Sequence, residues 1–214
     1  ALTTGIEVRL AEAGEQLTLL NQAEVTLNDS TLLITDASGP IGMAGVMGGL
    51  STAVKPSTHD VFFEAAFFAP EAIAGRARQY GLHTDAGHRF ERGVDFEGQS
   101  RAIERATRLL IDIAGGDAGP LIDTVEADHL PARAEVLLRA SRVTKVLGMN
   151  IEPAVIENSL FRLGFGFEPQ SGDEVAWLVQ APSHRFDINI EADLIEEISR
   201  IVGYDELPVT RPIA

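Results

Sequence analysis

The 214-residue chain contains no cysteine, which excludes disulfides, thiolate metal sites and a cysteine nucleophile. It also lacks any run of 18 or more apolar residues, so no transmembrane helix is expected. The chain starts without a methionine and without a basic leader, so we expect a piece of a longer protein and no signal peptide. These absences suit the cytoplasm, where we place the protein.

The charge of the chain is strongly negative, with a formal net value of −15. Such a balance argues against broad, non-specific binding to nucleic acid, which needs a positive surface. Residues 76–108 are the exception, because arginines outnumber acids there. Arg101, Arg105 and Arg108 fall on one face of a predicted helix, and two interpretations stay open: a solvated face, or contact with the phosphates of an RNA.

The first part of the chain predicts short strands followed by helices. The strands are predicted at 6–10, 24–27, 31–35, 41–47 and 61–66, and the helices at 70–80 and 99–114. Pro70 suits the first turn of a helix, and Gly81 and Gly115-Gly116 suit helix ends. The fold class predicted is α+β, with a mixed or antiparallel sheet and flanking helices.

A stretch rich in Gly, Asp and Pro at 115–131 predicts a domain boundary, with a second domain after it. The second domain reads as a strand at 134–138, a helix capped by Ser141 and ended by Gly148, and a helix at 153–163. A two-stranded ribbon at 165–167 and 177–180 and a helix at 190–202 follow. This order predicts a small α+β module of winged-helix type.

Glu64 lies alone in an apolar run, between the pairs Phe62-Phe63 and Phe67-Phe68. A carboxylate among aromatic side chains is expected to be at least partly buried, and burial shifts its pKa or requires a partner. The polar, glycine-punctuated stretch that follows it, up to Asp95, predicts the wall of a pocket.

The glycine run at 42–49 matches neither a phosphate-binding loop nor a dinucleotide fingerprint, because the required residues and spacing are missing. It predicts either a tight turn or a place where Gly48 leaves room for a ligand. The stretch 83–88 contains two histidines, but its spacing does not favour zinc. We predict a polar loop there, in which Thr84 and the backbone around Ala86 bind a ligand or orient a water.

Four acids lie at the last predicted helix, and spacing alone does not assign them. Asp193, Glu196 and Glu197 fall on one face, with Asp187 just upstream. They suit the positive end of the helix dipole, and they equally suit a hard cation such as magnesium.

Several segments of the chain resemble the beta subunits of bacterial phenylalanyl-tRNA synthetases, in order and over nearly the whole length. They include Gly-Val-Met-Gly-Gly at 45–49 and Phe-Glu-Ala-Ala-Phe-Phe-Ala-Pro at 63–70. The others are 75–78, 81–86, 88–95, 106–110 with 115–116, and 182–187 with 191–197. The resemblance implies that residues 1–120 are most of a tRNA-editing domain, and that 130–206 are the following DNA-binding-like module.

In that family, the editing site hydrolyses tyrosine wrongly attached to the phenylalanine tRNA, and this step needs no cofactor. The resemblance implies that Glu64 recognises the tyrosine hydroxyl and that Gly48 keeps the pocket open. Thr84 and Ala86 match positions tied to water placement and pocket size. The logic is sound, because a site that binds the hydroxyl rejects phenylalanine, which would leave polar groups unpaired.

The resemblance also assigns Asp187, Asp193, Glu196 and Glu197 to a magnesium ion shared with the alpha subunit. The implied partners are tRNA(Phe), the alpha subunit and tyrosine as an editing ligand, with no membrane. ATP binding and aminoacylation belong to the whole ligase, whose synthetic site is on the alpha subunit.

One departure from the family leaves a second hypothesis open. The family's His-Ala-Phe-type motif, which precedes this region and helps to line the editing pocket, is absent from the chain. The alternative is therefore a non-catalytic, tRNA-docking piece of the synthetase with an incomplete pocket. A magnesium-dependent enzyme using the last-helix acids is a third hypothesis, which predicts loss of activity on chelation.

Overall fold

The computed structural model describes residues 5–209, and the chain divides between Leu130 and Pro131 into two compact units. Each unit has a hydrophobic core of its own. Both combine antiparallel strands with helices, which confirms the predicted α+β class. Among the described residues, no helix is long and apolar enough to cross a membrane.

The first unit is built on two antiparallel sheets. Strands β1 (Glu7–Leu10), β4 (Leu32–Asp36), β5 (Gly39–Met43) and β6 (Met47–Gly48) form one sheet in that spatial order, and β2 (Gln16–Thr18) pairs with β3 (Glu24–Thr26). Leu33 of β4 is fully buried against Leu19 and Leu27, which lie beside the hairpin. These aliphatic side chains, which pack behind the sheet, fix the register of its strands.

The helices of the first unit differ from two of the sequence predictions. They are α1 (Pro70–Ile73), α2 (Arg76–Gln79), α3 (Asp85–Phe90) and α4 (Gln99–Ala114). The single helix predicted at 70–80 is wrong, because Gly75 adopts a φ of 76° and breaks it in two. The polar loop predicted at 83–88 is wrong from Asp85 onward, where α3 begins. Helix α4 has the predicted bounds and ends at Gly115, whose φ is 75°.

The strand predicted at 61–66 is wrong, because that segment pairs with no strand in residues 5–209. Two of its large apolar side chains stay outside the core, since Phe62 is 59% exposed and Val61 is 45% exposed, while Ala66 packs against the core. Only Phe68, at the end of the run, is buried. The strand predicted at 41–47 is two strands, since a turn with Gly45 at a φ of 66° separates β5 from β6.

The second unit follows the predicted order of elements. It consists of β7 (Glu135–Arg139), α5 (Ala140–Leu147), α6 (Pro153–Arg162), β8 (Gly166–Gln170), β9 (Ala176–Gln180) and α7 (Glu191–Val202). The three strands form an antiparallel sheet in the order β7-β9-β8. Trp177, Leu138 and Ile156 fill the core. Ser141 does not cap α5 as predicted, because Arg139 holds the cap position and the Ser141 hydroxyl donates to Glu174.

Candidate functional site

An open cleft of about 1900 Å³ lies in the first unit. It is lined by Gly48 of β6, by Glu64 of the segment 61–66, and by Thr84 and Ala86 at the start of α3. These four residues are far apart in sequence, and the fold brings them to one cavity. The cleft is therefore the place where the sequence-predicted pocket residues meet.

Thr84 holds the beginning of α3 against the sheet. Its hydroxyl accepts a hydrogen bond of 2.9 Å from the Gly87 amide, which makes it the N-cap of the helix. The same hydroxyl donates to the carbonyl of Val46, in the turn between β5 and β6, over 2.9 Å. Because a hydroxyl has one proton and two lone pairs, one lone pair of Thr84 is left to accept from a water or a ligand.

Glu64 does not lie in a strand, as was predicted, and its side chain lines the cleft, where solvent reaches it. Its carboxylate has no hydrogen bond or ion pair with any of residues 5–209. The surrounding walls still displace part of its hydration, and this partial burial raises the pKa of the Glu64 carboxyl. A carboxylate without a partner that faces an open cavity can accept a hydrogen bond from a ligand hydroxyl.

The extended segment that carries Glu64 is fixed at its end by Gln99, the first residue of α4. The Gln99 side-chain amide donates to the carbonyls of Asp95 at 2.7 Å and Ala66 at 3.4 Å. Two aromatic contacts add to this, because Phe67 meets Phe96 edge to face and Phe68 packs on Phe90. No pattern in the sequence indicated the Gln99 contact, since a glutamine at a helix start has many partners available.

The glycines of the 42–49 run do two different things. A Cβ at Gly49 would lie 2.6 Å from the Ile41 carbonyl oxygen, so only glycine fits there. Gly48 faces the cleft, and a Cβ on it would come within 3.3 Å of the Leu20 side chain. The structure therefore shows the tight turn, at Gly45, while the room for a ligand at Gly48 stays a prediction. Leu20, a cleft residue, carried no sequence signal.

The predicted arginine stripe of α4 is divided. Arg101 and Arg105 line the cleft. Arg108 does not line the cleft, and it forms an i,i+4 ion pair with Asp112 at 3.1 Å. The stripe is therefore not a uniform solvated face.

The four acids proposed for magnesium lie in the second unit and are engaged in other ways. Asp187 pairs with Arg185 at 2.7 Å, and Glu197 pairs with Arg185 at 3.0 Å and with Arg200. The hydrogen bond from Arg185 lowers the pKa of Asp187, and those from Arg200 and then Arg185 lower the pKa of Glu197. The guanidinium groups therefore already neutralise two of the carboxylates.

Asp193 has a structural role at the start of α7. Its carboxylate accepts from the amides of Asn189 at 2.8 Å and Ile190 at 2.9 Å. Glu196 is exposed on the same helix. In the part of the chain that the structure describes, no group of three or more His, Asp or Glu residues could hold a metal ion. The described acids therefore do not form a magnesium site by themselves, and the ion shared with the alpha subunit stays a prediction.

Comparison with known proteins identifies the family of the chain. A model of the B3/4 domain matches residues 1–115, and a model of the tRNA synthetase B5 domain matches residues 136–204. The chain is 52% identical over 213 residues to the phenylalanine–tRNA ligase beta subunit of Hahella chejuensis, covering 100% of this chain and 27% of that protein.

Two further relatives have the same name. The beta subunit of Pseudomonas fluorescens is 52% identical over 210 residues, which is 98% of this chain and 26% of the relative. That of Pseudoalteromonas translucida is 50% identical over 214 residues, which is 100% of this chain and 26% of the relative. The chain thus spans about a quarter of the length of these relatives. The chain belongs to the B3/4 domain family, and its second unit carries a tRNA synthetase B5 domain.

Proposed function

We propose that the cleft is a hydrolytic editing site that cleaves the ester of tyrosyl-tRNA(Phe). The observation that carries this proposal is the convergence of Gly48, Glu64, Thr84 and Ala86 on one open cavity of a B3/4 domain. The names of the relatives support it, because a phenylalanine–tRNA ligase must separate two amino acids that differ by one hydroxyl.

Glu64 supplies the selectivity in this proposal. The phenol of tyrosine donates a hydrogen bond to the ionised carboxylate, and such charge-assisted bonds are about twice as strong as neutral ones. Phenylalanine displaces water from the same carboxylate without replacing the hydrogen bond, which is unfavourable. Glu64 is accordingly a recognition residue, and it neither gives nor takes the proton of the reaction.

Thr84 positions the attacking water. Its proton is committed to the Val46 carbonyl, so its free lone pair accepts a hydrogen bond from the water and turns a water lone pair towards the ester. The water oxygen attacks the ester carbon, the bond to the ribose oxygen breaks, and the proton that the attacking water loses ends on that ribose oxygen. Ala86, two residues further along the chain, keeps this end of the pocket small.

The second candidate function is a tRNA-docking piece of the synthetase with an inactive pocket. The state of α4 favours it, because no residue of this helix is buried in the unit and Ile113 is 82% exposed. A cleft wall that lacks its own packing holds a substrate poorly. Activity measurements separate the two functions.

The test compares hydrolysis of tyrosyl-tRNA(Phe) and phenylalanyl-tRNA(Phe) by the 214-residue chain and its Glu64→Ala and Glu64→Gln variants. We expect the wild-type chain to release tyrosine faster than phenylalanine, and Glu64→Ala to lose this preference, about tenfold or more for a hydrogen bond to a charged group. Glu64→Gln keeps the size of the side chain but removes its charge, and it should lose most of the preference for tyrosine. No hydrolysis above the buffer rate would favour the docking function.

We also propose the wider setting of the chain. Residues 1–120 would act as the editing module and residues 130–206 as the B5-type module of a cytoplasmic phenylalanine–tRNA ligase beta subunit. Its partners would be tRNA(Phe) and the alpha subunit, and tyrosine would be the editing ligand. Co-purification of the chain with the alpha subunit tests the protein partner, and a chain that stays separate would contradict it.

A further inference from the structure

The cleft is larger than its proposed amino acid requires. Pockets for small ligands usually measure about 300–1,000 Å³, whereas this one measures about 1900 Å³. A tyrosyl group therefore fills only part of it. The remaining volume has room for the end of the RNA to which the amino acid is attached.

The charged residues divide the lining of the cleft. Asp60 and Glu64 are acidic and repel the phosphates of a nucleic acid, whereas the third acid, Asp95, lies beside Arg101 at 3.6 Å. Helix α4 contributes two arginines, Arg101 and Arg105, to the same lining, and Lys55 is the lysine that lines it. A strand of RNA is therefore attracted to the α4 wall and kept from the Glu64 segment.

Both arginines have bonding capacity to spare. Arg105 has no hydrogen bond or ion pair with any of residues 5–209. Arg101 lies 3.6 Å from Asp95, and its side chain is 84% exposed. An exposed ion pair at that distance contributes little, so Arg101 can bind a second anion. Arg108, with its ion pair to Asp112, lacks this capacity.

The fold also places the two guanidinium groups near the pocket. Gln99 joins the first turn of α4 to the carbonyl of Ala66, two residues after Glu64. Arg101 and Arg105 follow on one helix face, separated by about 6 Å along the axis. Two cations at that spacing can reach neighbouring phosphates of one strand.

We infer that Arg101 and Arg105 bind backbone phosphates of the single-stranded 3′ end of the RNA whose ester enters the cleft. The inference rests on the proposed editing function for the identity of the RNA. Arginine suits the role because its planar, always charged group forms bidentate hydrogen bonds with phosphate.

The experiment measures binding of a fluorescein-labelled, single-stranded RNA ending in CCA to the full 214-residue chain, by anisotropy at several salt concentrations. The variant is the double substitution Arg101→Ala/Arg105→Ala. Arg108→Ala is the matched control, since it removes an arginine from the same helix outside the cleft. Arg101→Lys/Arg105→Lys keeps both charges, and circular dichroism checks that each variant is folded.

Two phosphate contacts contribute about 1.4 to the slope of log K against log salt for a single strand. We expect the double alanine variant to lose about this much of the slope, which corresponds to roughly 25-fold weaker binding at about 0.1 M salt. Arg108→Ala should bind as the wild type does, and the double lysine variant should retain the slope. Equal affinity and slope for the wild type and the double alanine variant would overturn the inference, as would no binding by the wild type.

A second readout separates this inference from the editing proposal. With tyrosyl-tRNA(Phe) as substrate, the double alanine variant should raise KM and leave kcat unchanged, because it removes binding far from the reacting ester. If hydrolysis fails in every variant but RNA binding depends on the two arginines, only the editing proposal falls. If hydrolysis proceeds with an unchanged KM, only the phosphate contacts are refuted.

Discussion

At the scale of single residues, the carboxyl group of Glu64 is the group best suited to recognise a ligand in the cleft. It is exposed in the cleft, has no partner among residues 5–209, and has a pKa raised by partial burial. The three facts fit together, since a carboxylate waiting for a ligand is neither paired nor fully hydrated. A general base needs contact with the reacting water, and that position belongs to Thr84 in the proposed geometry.

The raised pKa of Glu64 predicts a pH dependence of selectivity. As the pH falls through this pKa, the carboxylate becomes a neutral acid and its hydrogen bond with the phenol weakens. The preference for tyrosyl over phenylalanyl ester should therefore decline at a higher pH than an ordinary glutamate would titrate. Ratios of kcat/KM over roughly pH 4 to 8 measure it. Glu64→Gln, which cannot ionise, should show a low and flat ratio, and a flat wild-type profile would contradict the assignment.

Replacing Thr84 by valine is predicted to lower both the stability and the activity of the protein. Thr84→Val keeps the shape but removes the N-cap of α3 and the hydrogen bond to the buried Val46. A lost cap costs about 1 kcal/mol and an unsatisfied carbonyl costs about as much again, so unfolding in urea should become easier by about 2 kcal/mol. Thr84→Ser retains both bonds and is the control. A fully active Thr84→Val variant would show that Thr84 does not position the water.

At the scale of elements, the long helices with an apolar repeat could be predicted from the sequence, whereas short or irregular segments could not. Helices α4 and α7 were predicted almost to the residue, because each has an apolar repeat and a glycine at its end. The six-residue α3 is too short for a repeat, so only the capping preference of Thr84 could have revealed it. The segment 61–66 has strand composition, but composition does not provide a neighbouring strand to pair with.

The site was predictable only in part, for a related reason. The spacing of Gly48, Glu64 and Thr84 contains no information about their proximity, and the family resemblance brought them together as a hypothesis. The structure places them on one cleft. Gln99 and Leu20 stayed outside the prediction, because their roles depend on packing between elements that are distant in sequence.

The break between α1 and α2 gives a prediction at the element scale. Gly75 has a φ of 76°, and a Cβ there would meet no atom within 4 Å. The cost of Gly75→Ala is therefore purely conformational, at about 1–2 kcal/mol of unfolding free energy. Gly75→Asn should cost less. Gly119→Ala is the matched control, because it is equally open without a positive φ, and equal losses for the two alanines would refute the explanation.

Helix α7 gives a second prediction at this scale, which concerns magnesium binding. Arg185 and Arg200 neutralise Glu197, and Asp193 accepts two backbone amides, so the acids are not arranged as a donor set for a cation. A site with a Kd of about 0.1 mM would stabilise the second unit by about 2.7 kcal/mol at 10 mM magnesium. We expect no such shift in urea unfolding relative to sodium chloride of equal ionic strength. A saturable shift that Asp193→Asn removes would contradict this.

At the scale of the whole molecule, two separate cores predict two distinct responses to core mutation. Trp177 is the single tryptophan of the chain, is 1% exposed, and donates to Glu157 at 2.9 Å inside the second unit. Its fluorescence therefore reports the unfolding of that unit. Ile156→Ala, in the same core, should destabilise the fluorescence transition by about 2–5 kcal/mol. Leu33→Ala removes an equally buried side chain from the first core and should leave the fluorescence transition in place. It should lower the denaturant concentration at which the first unit unfolds, as followed by far-ultraviolet circular dichroism. If Leu33→Ala moved the Trp177 transition as far as Ile156→Ala does, the two cores would have to unfold as one cooperative structure.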